Sequence, residues 1–317
     1  MGKISVYWNN ICLLRRAEEK FVGEYAKNNA EFCVEYFGLG MPKKLRDQIA
    51  DDLQKYGEPK ADVIVSTDLD IFQDKRLLLG KFDFFVDIAG QFAIRDEIKA
   101  TGTEYPEGQV ATAHVLPMVI CVNEDIAQDI SCPETLKDLC KDEYKGKIVL
   151  GGNDTAAGRS IAMSIWYLYG EECAMKFLQN AVFVSIPAMA YNACAKKKEF
   201  PVCVLPSVLA KQGGLKTVFP KDGAPAIPTY VCVRRGAPAE ALDFLKSVLF
   251  GIEMQRFYSD RAIILPSHPD VKINPALFDN GSMCRFLYPD YDFVQSFDMP
   301  KFCEIMDGIE LGSVQRG

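Results

Sequence analysis

The sequence predicts an α/β protein built as two lobes, each with a core of parallel strands flanked by helices. Short apolar strands alternate with amphipathic helices from the start of the chain, an order that indicates a parallel sheet with right-handed crossovers. The chain has 317 residues, a length that suggests two domains. Two long apolar strands, residues 115–122 and 227–233, bracket a second strand–helix series.

The first third of the chain reads strand, helix, strand, helix, strand. Residues 4–8 predict a strand, and residues 13–27 carry apolar side chains at intervals of three and four, the spacing of a helix face. A second strand is predicted over residues 32–37, and Pro42 opens the next helix. The apolar face of that helix carries Leu45, Ile49 and Leu53. The continuous apolar run at residues 62–65 is typical of a strand buried on both faces of a parallel sheet.

The rest of the chain repeats this pattern. After the strand at 115–122 we predict a helix at 134–140, a strand at 147–150, helices at 156–169 and 171–179 separated by Gly170, a strand at 182–185, a helix at 187–197, and strands at 202–205 and 215–219. Helices at 238–250 and 252–260 follow the strand at 227–233. We therefore expect a first lobe of residues 1–114 and 226–317, with residues 115–225 inserted as a second lobe. The two crossover strands would form the hinge.

Composition excludes several classes of function. The chain has 36 Lys+Arg and 43 Asp+Glu, a net charge of −7, so it has no surplus of cations for nucleic acid. No apolar run reaches ~18 residues, and we expect no membrane-spanning helix. A strand is predicted almost from Met1, so we expect no signal peptide within this sequence. The eleven cysteines form no Cys-x-x-Cys pair, and we interpret most of them as buried thiols, which favour a reducing compartment.

Six short motifs occur in a fixed order along the chain. They are KADV at 60–63 followed by Ser66, DEYKGKI at 142–148, DTAAG at 154–158, YGEE at 169–172, FPKDG at 219–223 and RGAP at 235–238. Over residues 3–265 the chain thereby resembles the type II solute-binding proteins of ABC transporters, in the branch that handles ferric iron, phosphonates, thiamine and related solutes. The resemblance implies a monomer that closes its two lobes over one small solute and is recognised by a permease, at the periplasm or cell surface if a signal peptide was trimmed.

One candidate ligand site follows the strand at 147–150. Its residues open a helix and are Asp154, Thr155, Ala156, Ala157 and Gly158. Small side chains leave the backbone N–H groups accessible to an anion, the helix dipole favours negative charge there, and Arg159 would assist. Alternatively, Asp154 or Thr155 simply caps its own helix.

The other candidate ligand residues follow neighbouring strands, because the carboxyl ends of parallel strands gather at one edge. After the first three strands they are Trp8, Asn9, Gly38, Gly40, Ser66 and Thr67. In the second lobe they are Ser185, Tyr191 and Ser207. Each of these residues also has an explanation that needs no ligand. Trp8 and Tyr191 could be core aromatics, the glycines could be turn residues, and Thr67 or Asp68 could cap a helix. Asp68 and Asp70 would instead favour a cationic or zwitterionic ligand, and the amide of Asn10 is a candidate beside Asn9.

Ferric iron does not fit these residues. In the resembled family, iron-binding members supply phenolate oxygens from paired tyrosines, and the matching region 202–207 contains no tyrosine. The two histidines of the chain, His114 and His268, are far apart in sequence. We therefore expect no metal site and no cofactor, and a small organic or oxyanion solute as the ligand.

Catalysis is also poorly supported. The chain has no Gly-x-Ser-x-Gly motif and no phosphate-binding loop. Any of Cys12, Cys121, Cys194 or Cys203 could act as a nucleophile, but inert buried thiols explain them better. The alternatives to a transport protein are a cytoplasmic ligand sensor or carrier on the same fold, suggested by the thiols and the missing signal peptide, and, with less support, an enzyme.

Overall fold

The computed structural model describes residues 3–29, 32–38, 40–279 and 281–312, without the side chain of Cys12. The strands are β1 (Ile4–Asn9), β2 (Phe32–Tyr36), β3 (Val63–Ser66), β4 (Ala111–Val122), β5 (Ile148–Gly151), β6 (Ala181–Val184), β7 (Val202–Pro206), β8 (Lys216–Val218), β9 (Ala224–Val233), β10 (Leu265–Pro266), β11 (Phe278–Asp279), β12 (Ser282–Met283) and β13 (Phe286–Leu287). The helices are α1 (Arg15–Ala26), α2 (Leu45–Tyr56), α3 (Leu69–Gln73), α4 (Asp96–Lys99), α5 (Ala156–Asn180), α6 (Pro187–Tyr191), α7 (Ser207–Ala210), α8 (Glu240–Ser247), α9 (Ile252–Ala262), α10 (Tyr291–Ser296) and α11 (Met299–Asp307).

The chain divides into two compact units. The first contains the residues up to Val115 together with Pro228–Asn274, and the second contains Leu116–Ile227 together with the residues from Pro275 onward. The backbone therefore passes from one unit to the other three times, inside β4, inside β9 and after Asn274.

The C-terminal segment lies in the second unit, and our assignment of residues 275–317 to the first lobe is wrong for the residues described. Its aromatic side chains pack on α5: the ring of Trp166 lies 5.4 Å from that of Phe297 and 6.1 Å from that of Phe302, measured between centroids. The aromatic residues of this segment were visible in the sequence, but their partner was not.

The first unit has a sheet with the strand order β2-β1-β3-β9. Strand β1 runs parallel to β2 and β3, while β9 runs antiparallel to β3. In this register Asn9 lies opposite Ser66, and Ser66 lies opposite Tyr230. Because β1, β2 and β3 are parallel, their carboxyl ends share one edge of the sheet.

The second unit has a sheet with the strand order β4-β7-β5-β6. Strand β5 is parallel to β6 and β7, and the second half of β4 is antiparallel to β7. The prediction of an α/β protein with parallel-core sheets is confirmed. The carboxyl ends of β5, β6 and β7 share an edge, and α5, the turn before α6, and α7 each follow one of them.

Gly170 interrupts α5, as its position between two predicted helices indicated. It has φ 81° and ψ 173°, a conformation that only glycine adopts readily. The helix predicted at 187–197 begins at Pro187 but changes to a π-type turn over Asn192–Lys196. The helix predicted at 134–140 is reduced to a 3-10 turn, Lys137–Cys140. Among the described residues, no helix is both long and apolar enough to cross a bilayer.

Candidate functional site

Asn9 and Ser66 end two adjacent parallel strands of the first unit. Both are buried, and so is Thr67. The backbone N–H of Thr67 donates to the carbonyl oxygen of Asn9 at 2.9 Å, and the Oγ of Ser66 accepts from the N–H of Asp68 at 3.0 Å. The side-chain amide of Asn9 donates to the carboxylate of Asp68. This edge is therefore a fixed polar loop whose groups hold one another in place.

The two glycines after β2 have different explanations. Gly38 has φ +94°, and a Cβ at this position would lie 2.3 Å from Oδ1 of Asn9. Glycine is thus required where the backbone crosses the Asn9 side chain. Gly40 has φ +79°, and a Cβ there would meet nothing within 4 Å, so a simple turn is enough to explain it. Leu39, between them, lies outside the described residues.

Trp8 belongs to the core of the first unit and has no face available for stacking on a solute. It is 1% exposed, and its ring packs near Tyr36 and Phe244. Its indole Nε1 donates to Oε2 of Glu18 at 3.0 Å. The core alternative therefore describes Trp8, and its interpretation as a ligand residue is corrected.

A buried polar cluster, which we call the Glu18 network, lies behind β1. Its members are Trp8, Asn10, Glu18, His114, Thr229 and Tyr258. Oε1 of Glu18 accepts from Nδ2 of Asn10 at 2.7 Å and from the hydroxyl of Tyr258 at 2.9 Å. Burial raises the pKa of Glu18 to about 7, since desolvation outweighs the hydrogen bonds that favour its charged form. Asn10 is thus part of an internal network and not of the strand edge.

His114 closes this network on the side of β4. Its Nε2 lies 2.8 Å from the hydroxyl of Thr229, which is also 3.1 Å from Oδ1 of Asn10. Burial lowers the pKa of His114 to about 3, so the ring is neutral. Its Nδ1 has no hydrogen-bond partner among the described residues. A fully buried, neutral histidine in a polar network is a structural histidine here.

The acidic groups after β3 are compensated. Asp70 is buried, and its Oδ2 lies 3.3 Å from a guanidinium nitrogen of Arg46. The carboxylate of Asp68 accepts from Asn9. Because both carboxylates have partners within the unit, they give little support to a cationic ligand.

The side chain at the N-cap position of α5 does not cap the helix. Thr155 occupies the N-cap position with φ −112° and ψ 163°, yet it makes no side-chain cap hydrogen bond. Its hydroxyl instead donates to the carbonyl oxygen of Gly152 at 3.0 Å. The alternative in which Thr155 caps its own helix is therefore not what the structure shows. Ala156 and Ala157 follow in the first turn, with Asp154 exposed before it.

Gly158 has a packing role at the same place. A Cβ on Gly158 would lie 2.1 Å from the carbonyl oxygen of Gly152. The helix thus runs against the loop that precedes it, and glycine is required there whether or not a ligand binds. Gly152 itself has φ +79°, so the sharp turn into α5 also depends on glycine.

Arg159 is not directed toward a ligand. It is 3% exposed, and its guanidinium donates to Oδ1 of Asp307 in α11 at 2.8 Å. Asn153 makes a parallel connection, since its Nδ2 donates to the carbonyl oxygens of Met306 and Ile309 at 3.1 and 3.2 Å. The expectation that Arg159 assists anion binding is replaced by a role in docking the C-terminal segment.

The remaining candidates of the second unit differ in exposure and packing. Ser185 is exposed after β6, with its Oγ 3.0 Å from Sδ of Met189. Tyr191 is 3% exposed in a core cluster, and its hydroxyl donates to the carbonyl oxygen of Gly213, so the packing alternative holds. Ser207 is buried at the first position of α7, directly after β7. Within the described residues, no group of three His, Cys, Asp or Glu side chains is placed to hold a metal ion.

Sequence comparison decides the family. The model of the bacterial extracellular solute-binding proteins matches residues 58–296, more than half of the chain. The chain belongs to this family. Comparison with curated proteins gives no match.

Solved structures show the fold. The ferric ion-binding protein A of Pasteurella haemolytica has a TM-score of 0.73 at 15% identity, covering 97% of each chain. Iron-bound HitA from Pseudomonas aeruginosa has a TM-score of 0.72 at 15% identity, covering 98% of this solute-binding protein and 100% of HitA. AfuA from Actinobacillus pleuropneumoniae, with fructose 6-phosphate bound, has 0.71 at 16% identity, covering 98% and 99%. AfuA is a periplasmic binding protein, and the resemblance to the type II fold is confirmed.

Proposed function

We propose that this protein binds a small solute bearing an anionic group and delivers it to the permease of an ABC transporter. Family membership supports solute binding. The observation that carries the anionic part is the start of α5, where the Thr155 side chain makes no cap hydrogen bond. The first N–H groups of a helix have no intrahelical partners, and the helix dipole adds positive potential at that end.

Related structures make a phosphate ester a suitable probe. AfuA was solved with fructose 6-phosphate and HitA with iron. Backbone amides at a helix start suit a phosphate group. A ferric ligand is less well supported, because β7 and the residue after it, Val202–Pro206 and Ser207, supply no phenolate. In the second unit the wider proposed site adds Ser185 and Ser207. Asn9, Ser66 and Thr67 remain separate candidates at the strand edge of the first unit.

A thermal-shift series with the full chain tests the ligand class. The probes are fructose 6-phosphate, inorganic phosphate, neutral fructose and ferric citrate with citrate as its control. We expect Tm to rise with the phosphate-bearing probes and not with fructose, because stabilisation follows binding to the folded state. Equal shifts with fructose and fructose 6-phosphate would remove the anionic group from the proposal.

The variant Ala156→Pro tests the role of the helix start. Proline fits the first position of a helix, and the extended conformation of Thr155 suits the residue before it, so the change removes one N–H and keeps α5. Asp96→Pro is the matched control, since Asp96 is the first residue of α4 and Arg95 before it is also extended. We expect only Ala156→Pro to reduce the phosphate-induced shift. Delivery is tested separately: the loaded protein should stimulate ATP hydrolysis by its reconstituted ABC transporter, and the unloaded protein should not.

A further inference from the structure

Two cysteines of the second unit are in direct contact. Sγ of Cys173, in the part of α5 after Gly170, lies 2.6 Å from Sγ of Cys140, the last residue of the 3-10 turn Lys137–Cys140. Both are thiols in this structure. Only a small movement separates this arrangement from a disulfide bond, whose length is about 2.05 Å.

The backbone on both sides of the pair is already fixed. Asn180, at the end of α5, donates from Nδ2 to the carbonyl oxygens of Leu139 and Lys141 at 3.0 and 2.9 Å. These bonds hold the residues on either side of Cys140 against the same helix that carries Cys173. A covalent link would therefore join two elements that the fold already holds together, without a change of register.

One thiol of the pair is accessible to solvent, and a lysine lies nearby. Cys173 is partly exposed, whereas Cys140 is buried. Lys176 lies one turn beyond Cys173 and acts on the Cys140 thiol in the direction that favours the thiolate, although burial raises the pKa of that thiol overall. Exchange needs access of the oxidant to a sulfur atom, and the partial exposure of Cys173 provides it for this pair.

We propose that Cys140 and Cys173 form a reversible disulfide when the protein meets a disulfide oxidant. The thiolate of Cys173 attacks one sulfur of oxidised glutathione and expels a glutathione thiolate. The thiolate of Cys140 then attacks Sγ of Cys173 in the mixed disulfide, forms the Sγ–Sγ bond and expels the second glutathione thiolate. The two cysteines lose two electrons, the oxidant gains them, and the two thiol protons end on two molecules of reduced glutathione. The bond closes a loop between positions 33 residues apart.

The test uses the folded full chain and oxidised glutathione. After incubation, free thiols are alkylated, the protein is digested without reduction, and the peptides are analysed by mass spectrometry. We expect one cross-linked pair that contains Cys140 and Cys173, two hydrogens lighter than the sum of its peptides and lost on reduction. Both cysteines recovered as alkylated or separately glutathionylated peptides, or joined to other cysteines, would overturn the proposal.

Variants connect the bond to stability. Oxidation should raise the Tm of the wild-type chain, because the closed loop restricts the unfolded state. The rise should vanish in Cys140→Ser and Cys173→Ser and persist in Cys132→Ser, which removes an exposed thiol of the same unit. A Tm increase that survives in Cys173→Ser would mean that another pair is responsible, and it would contradict the assignment.

Discussion

Tyr258 donates its hydroxyl hydrogen bond to Oε1 of Glu18 across 240 positions of sequence. Neither residue is more than 1% exposed. Trp8 of β1 and Asn10, the residue after β1, donate to the same carboxyl group. Together with Tyr258 of α9 they surround both oxygens of Glu18 with hydrogen-bond donors. A titratable group in this position makes the stability of the first unit depend on pH.

The free energy of unfolding should fall as pH rises through neutrality, because Glu18 loses its proton. Its pKa is about 7 in the folded chain against an ordinary value of 4.5, so the folded state binds the proton more tightly than the unfolded state. Its contribution is therefore full below pH 4.5 and is lost as pH rises to about 7, by about 3 kcal/mol. Urea unfolding at several pH values should show this loss in wild type relative to Glu18→Gln. A constant difference between the two proteins over that range would contradict it.

His114 should act in the opposite direction. Its pKa is lowered from 6.5 to about 3, so its contribution is present above pH 6.5 and is lost as pH falls toward 3. Between pH 4.5 and 6.5 the two contributions oppose each other. Unfolding of Glu18→Gln should therefore reveal stability that rises with pH in this window, and His114→Asn should reveal stability that falls. Curves for both variants that run parallel to wild type would show that the two groups do not titrate as described.

The pair Arg159–Asp307 should carry more stability than the other ion pair between the same helices. The Arg159 side chain is 4% exposed and Asp307 is 38% exposed. Asp307→Asn removes the charge of a carboxylate that accepts from this buried guanidinium and should lower the free energy of unfolding by about 2 kcal/mol. The matched control is Glu171→Gln, which removes the half-exposed pair with Lys301 and should cost below about 1 kcal/mol. Chemical denaturation measures both, and equal losses would count against the docking role of Arg159.

Substitution of Gly158 should separate packing from ligand binding. In Gly158→Ala the new Cβ would meet the backbone of Gly152 at 2.1 Å, and we expect a loss of about 3 kcal/mol without any ligand present. Gly23→Ala is the control, because nothing lies within 4 Å of a Cβ at this exposed position of α1. There we expect a gain of roughly 0.5–1 kcal/mol from the lower entropy of the unfolded chain and better helix propensity. An unchanged free energy of unfolding in Gly158→Ala would mean that the loop before α5 can shift to accommodate the new Cβ.

Sequence periodicity predicted the elements better than the faces they bury. Strand and helix alternation located β1 to β3 and the break at Gly170, because these depend on local pattern. The buried face of α1, however, runs through Glu18 and Val22, in line with Leu14 just before the helix. An acid at four-residue spacing between two buried apolar residues was a readable signal of a buried carboxyl, but the apolar residues beside it define a different face.

Long-range partners account for the rest. The interpretations of Trp8, Arg159 and Tyr191 as ligand residues depended on their position after strands or at a helix start. Their actual partners are Glu18, Asp307 and the carbonyl of Gly213. Asp307 belongs to an element distant in sequence, whereas Glu18 and Gly213 come after an intervening turn. Packing of the whole unit sets the partners of Arg159 and Tyr191, and a single sequence carries no local trace of these two pairings.

The backbone passes from one unit to the other three times, and this has a consequence for folding during synthesis. Residues 228–274 complete the first unit, and only then do the last residues supply Phe302 and Asp307 to Trp166 and Arg159 of the second. Neither unit corresponds to one continuous stretch of chain, so neither can finish folding before a later segment has been synthesised. The second unit can reach its final state only after the segment that begins at Pro275 has been synthesised, so residues 116–227 wait for the side chains that complete their core.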